Sequence, residues 1–179
     1  MNKFFTLLLA FSLAATLNVN AADTKADYTT SKSKVVSVNP ISLTYGRINA
    51  SLETKMGADN SFTVTAGYWD LGWGDWYALN IGASYKWYLD LFEEGKKSLN
   101  GLALGPRADF YQNSYSGTYR DYDSYSTFTI GAEVSYKWVF GEGKWAIEPN
   151  LSFAFPVTKK RYGFAWQGHG WGVNVGYCF

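Results

Sequence analysis

The chain has 179 residues, with 16 basic and 15 acidic side chains, one histidine and one cysteine. A formal charge of +1 gives no long-range field for a nucleic-acid backbone, and the single cysteine, Cys178, excludes an internal disulfide framework. One histidine and one cysteine also fall short of a usual transition-metal site, so neither a metal nor any other cofactor is expected.

In chain order, Lys3 precedes an apolar run from Phe4 to Leu17, and Val19, Asn20 and Ala21 offer small residues for a cut before Ala22. This is the layout of a cleaved secretory signal over residues 1–21, because the run is too short to span a bilayer and lacks a stop-transfer flank. Removing it takes out Lys3 and no acid, which leaves a neutral chain of single-domain length. Residues 22–33 are polar and read as a flexible leader, so the folded domain is expected over 34–179.

From there the pattern has a period of two, which marks strands with chemically different faces. Bulky apolar residues alternate with small or polar ones through Ile48–Met56, Phe62–Tyr68, Tyr77–Trp87, Leu102–Phe110, Phe128–Trp138, Trp145–Phe155 and Trp171–Phe179. The connections alternate too. Residues 57–60 and 141–143 are tight turn sequences, and 91–100 is intermediate, whereas 70–75, 112–125 and 159–170 are longer. A closed sheet whose two ends lie on one side needs an even number of strands, so Lys34–Tyr45 is expected to supply the eighth, with its phase disturbed at Asn39 and Pro40.

No stretch of 18 apolar residues follows the signal, and the mean hydropathy is −0.19. Alternating strands can nevertheless span a membrane without a hydropathy signal. Volume decides which face is inside. An eight-stranded barrel has an interior just wide enough for side chains to fill, and the many Trp, Tyr and Phe of the bulky face do not fit there. The face of Gly, Ala, Ser, Thr and Asn does. Arg47, Glu53, Lys86, Arg107, Asp109, Glu133, Lys137 and Glu148 share that small face, four basic against four acidic, and are expected to form a charged plug in the lumen. Aromatics near strand ends, such as Tyr68, Trp87, Trp138, Trp145 and Trp171, would form interfacial girdles. The expected fold is thus an all-β, eight-stranded antiparallel transmembrane up-and-down barrel.

The last strand carries a resemblance. Trp171, Val173, Val175, Tyr177 and Phe179 on one face, ending in an aromatic residue, resemble the terminal strand of bacterial outer-membrane barrels. With the signal and about eight strands, the chain is similar to the small barrels of the OmpA transmembrane-domain and OmpX type. The resemblance implies an outer-membrane location, recognition of this strand by the barrel-assembly machinery, and contact with outer-membrane lipids and lipopolysaccharide, with the protein a monomer.

Three activities remain open on sequence. The first is a structural or surface-contact role in adhesion or envelope stability, with Tyr115, Tyr119, Tyr122 and Tyr125 in an external loop and Lys159, Lys160 and Arg161 facing lipopolysaccharide phosphates. The second is a lipid-A-modifying hydrolase or acyltransferase, for which His169 would be the base. The third is a narrow porin-like pore, opposed by eight charged side chains in a small lumen.

Overall fold

The computed structural model describes residues 32–70, 76–89, 99–115, 124–158 and 170–179. Residues 1–31, which hold the expected signal and most of the expected leader, lie outside the described residues, as do Tyr119, Tyr122, Lys159, Lys160, Arg161 and His169.

Eight strands follow in chain order: β1 (Lys34–Val38), β2 (Arg47–Lys55), β3 (Asn60–Asp70), β4 (Trp76–Leu89), β5 (Gly101–Tyr115), β6 (Tyr125–Phe140), β7 (Trp145–Pro156) and β8 (Gly170–Cys178). Each pairs antiparallel with the next, and β8 pairs back onto β1, so the sheet is a closed barrel. Phe179 and Lys34 complete the closure by exchanging backbone bonds of 2.9 Å in both directions.

The registers fix the slant of the strands. Ser33 lies level with Lys55, Ser61, Lys86, Gly105, Glu133, Ser152 and Gly170 in turn, and one circuit returns to the level of position 43, ten residues from the start. A displacement of ten over eight strands tilts them by about 40° to the barrel axis, the usual slant of such barrels.

Among the described residues, two complete turns lie at the end of the barrel that carries Lys34 and Phe179. At residues 57–59, Asn60 O accepts from Met56 N at 3.0 Å and Gly57 N at 3.3 Å. At the other, Gly141, Glu142 and Gly143 take φ of 59°, 58° and 78°, and Lys144 N donates to Gly141 O at 3.1 Å. Two glycines in three left-handed positions remove most of the steric cost of that turn.

The first strand is shorter than its sequence suggested. β1 stops at Val38, and a one-turn helix α1 (Pro40–Leu43) follows, so the expectation of strand through Tyr45 is corrected. The local chemistry explains it. Asn39 is the N-cap, its Oδ1 accepting from Ser42 N at 3.1 Å, while Pro40 supplies the fixed φ of a first helical position and no ladder donor. In the other direction, β5 and β6 outrun their apolar alternation. They stay paired through Gln112↔Ser126 and Asn113↔Tyr125, and Ser126 Oγ donates to Gln112 Oε1 at 2.6 Å on the outer face.

Side chains sort by parity around the barrel. Phe62, Leu79, Ile81, Phe110, Ile130, Val134, Leu151 and Phe153 are exposed outside, while Ser61, Thr63, Asn80, Ser84, Thr129 and Ser135 are buried inside. Trp87, Trp138 and Trp145 stand outside near the end with the termini, each against a tyrosine (Tyr85, Tyr136 and Tyr177) at centroid distances of 5.0, 4.6 and 5.4 Å. Small inward residues let the strands approach. A Cβ at Gly105 would fall on the carbonyl oxygen of Tyr85, which is backbone and cannot swing aside. Gly105→Ala is therefore expected to destabilise the barrel by roughly 1–3 kcal/mol, the range for overpacking. An unchanged urea midpoint would show that β4 and β5 can separate freely there.

Candidate functional site: the charged interior

The period of two that sends aromatics outward sends the in-phase polar residues inward, and the stagger then brings residues from five strands together. Lys86 of β4 is 2% exposed and reaches three carboxylates: Glu148 at 2.5 Å, Glu133 at 3.1 Å and Glu53 at 3.4 Å. Lys137 of β6 pairs with Glu53 and lies 3.5 Å from Glu148. Above them Arg107 of β5 makes a two-pronged pair with Asp109, Nε to Oδ2 at 2.7 Å and Nη2 to Oδ1 at 2.8 Å. Its Nη1 donates to Glu133 Oε2 at 2.6 Å, which joins the upper pair to the lower cluster.

Seven of the eight charges foreseen on the inner face thus form one connected network. Every carboxylate in it, Glu53, Asp109, Glu133 and Glu148, is engaged by at least one cation. Charges out of water are costly unless their remaining lone pairs and protons are satisfied, and this cluster meets that condition with neutral donors as well. Tyr88 Oη donates to Glu53 Oε1 at 2.5 Å and Ser61 Oγ donates to the same oxygen at 2.6 Å.

Arg47, the eighth, is placed differently. It also faces inward, but toward the end of the barrel away from the termini. Its Nε donates to Asn49 Oδ1 at 3.0 Å, and its guanidinium carbon lies 5.7 Å from the centre of the Trp69 ring. Among the described residues it has no ion pair. Around it lies a polar cavity of about 80 Å³, room for several waters, lined by Asn39, Asn49, Thr63, Asn80, Asn150 and Asn174 among others, with Lys86, Arg107 and Glu133 at its base.

Below the network the lumen ends in an apolar floor of Val35, Leu99, Ala146 and Cys178. The thiol of Cys178 is buried there.

Three inward aromatics escaped the sequence reading: Trp69, Tyr88 and Tyr111. The signal existed. Tyr88 is two residues from Lys86 and Tyr111 two from Asp109, so both are in phase with inward charges. Bulk suggested the outer face, whereas a hydroxyl that can reach a buried carboxylate suits the inner one. Trp171, Val173, Val175 and Tyr177 lie on the outer face of β8, with Trp171 and Tyr177 exposed, and Phe179 follows the end of the strand.

No protein-family model matches the chain, and no curated protein sequence matches it. Among solved structures, the barrel is similar to the N-terminal β-barrel domain of Pseudomonas aeruginosa OprF. The identity is 15% and the TM-score 0.46, covering 82% of this chain and 96% of that one.

Proposed function

We propose that the chain is an integral outer-membrane barrel with a structural or surface-contact role in the envelope, its lumen plugged by the interior network. One observation carries this reading: the large apolar side chains stand exposed outside while Lys86, Lys137, Glu53 and Glu148 are buried inside. A water-soluble barrel has the reverse distribution. An outward belt of Ile, Leu, Val and Phe flanked by Trp and Tyr fits a hydrocarbon layer bounded by two interfaces. On this reading the end with Lys34, Phe179 and the tight turns is periplasmic. The network and the apolar floor below it fill the lumen, which favours a plug over a pore. With each network carboxylate held by cations, we assign the cluster no acid–base chemistry.

The test has two parts. The mature chain should fold only with detergent or lipid, giving a band whose mobility shifts on boiling, and should show no steady conductance in a planar bilayer. A folded monomer in plain buffer would end the membrane reading, and a steady conductance would end the plug.

The outward face of β8 supports recognition by the barrel-assembly machinery during insertion. Replacing Phe179 by Asp is expected to lower the yield of heat-modifiable barrel in cells severalfold, since a charge then sits on the face that must enter lipid. Normal yield from that variant would remove this role.

A further inference from the structure

The closed barrel has one weak seam. β1 pairs with β8 only from Val35↔Cys178 to Val38↔Val175, yet β8 runs on to Gly170. Lys34 and Phe179 exchange both backbone bonds, so odd-numbered residues of β8 turn their N–H and C=O toward β1. The backbone groups of Val173 and Trp171 therefore face a place where no strand stands. What stands there is the segment 39–46, and it belongs to the other side of the gap. Asn39 N donates to Asn49 O at 3.2 Å, Ser42 Oγ donates to Arg47 O at 2.8 Å, and Asp70 N donates to Gly46 O at 3.1 Å. Among the described residues, no backbone hydrogen bond joins this segment to β8. The Asn39 side chain lies in the space that a Cβ on Gly172 would occupy, so the missing side chain is what lets the turn lie against β8.

The polar cavity lies directly behind this seam. Asn39, Arg47, Asn174 and Trp171 all line it, and Trp171 is at the same time 65% exposed on the outer surface, so the chamber reaches the wall there. Outside, Val38, Leu43, Tyr45 and Trp171 form an exposed apolar collar. Inside, Thr63 is 4% exposed, lines the cavity, and its Oγ1 has no hydrogen-bond partner. Open backbone groups facing hydrocarbon are not tolerated, so this stretch of β8 needs a polar group beside it. Two to four residues of slanted strand place Val173 and Trp171 roughly 5–10 Å above the Val175 level, toward the outer head-group layer.

We propose that the seam between β8 and the 39–46 turn is a lateral port, through which the phosphate-bearing head group of an outer-leaflet amphiphile reaches the chamber. The site rests on the membrane reading above. Arg47 supplies the anion contact, a guanidinium without a carboxylate partner among the described residues, with the backbone N–H groups of Val173 and Trp171 at the threshold. The apolar collar takes the chains.

The experiment uses the full mature chain folded in dodecyl maltoside micelles containing phosphatidylglycerol, with retained lipid counted by native mass spectrometry. Heat-modifiable folding of the wild type is checked first, so a failed membrane reading shows itself before any lipid is counted. One lipid per barrel is expected for the wild type and for Arg47→Lys, with at least a fivefold loss for Arg47→Gln. A staple of Asn39→Cys with Gly172→Cys, in a Cys178→Ser background, should lower retention as much when oxidised and recover it on reduction. Equal retention by oxidised and reduced staple, or by Arg47→Gln and the wild type, would overturn the proposal. So would saturable, Arg47-dependent binding of millimolar inorganic phosphate by the oxidised, stapled barrel, because the anion would then come from solution through the lumen.

Discussion

Replacing Lys86 by methionine will lower the unfolding free energy of the barrel by about 3–5 kcal/mol, the range for removing one partner of a buried ion network. Methionine keeps most of the volume, so the loss reports charge rather than a cavity. Among the described residues, the lysine is the only group that reaches Glu53, Glu133 and Glu148 together. Without it Glu148 keeps one cation at 3.5 Å, and four carboxylates share two cations. Urea unfolding in micelles, followed by tryptophan fluorescence and by the heat-shifted band, measures the effect. The double variant Lys86→Met with Glu148→Gln should recover part of the loss, since it removes one of the uncompensated charges. A single-variant loss below 0.5 kcal/mol would mean that the network is loosely hydrated and contributes little.

Placing arginine at Ile81 will destabilise the barrel by roughly 2–4 kcal/mol in lipid, the cost of a basic side chain on a lipid face near the midplane. Ile81 lies mid-strand in β4, paired with Ala66 and Phe110, and is 63% exposed. That exposure sharpens the test. On a protein surrounded by water, a substitution at so open a position is nearly neutral, within about 0.5 kcal/mol. A stability change of that small size in lipid vesicles would mean that this face meets water, and the orientation of the whole molecule would have to be reconsidered.

The two predictions test the two faces of the same strands, and both faces were written in the alternation. In β6, Ile130, Ala132, Val134, Tyr136 and Trp138 step past Gly131, Glu133, Ser135 and Lys137, and the barrel turns the first set out and the second in. The turn residues around Gly141 marked where that strand reverses. Less was legible where another interaction competed with the period of two. β1 loses to the Asn39 cap and Pro40 after five residues, and the inward Tyr88 was hidden by its bulk.

What the sequence determined by itself is the number of strands, their direction and the chemistry of each face, because alternation is a property of a single strand and its neighbours in the chain. The closed structure alone decided which charges meet. Glu53 and Lys137 are 84 residues apart, Lys86 and Glu148 are 62 apart, and in neither pair are the two residues on adjacent strands. They share a level across the lumen only because the register slips by ten residues around the barrel. That slip is the sum of eight pairings, and no single strand encodes it. The same closure leaves Arg47 apart from the network and opens a seam beside it, where a strand that ended early meets one that did not.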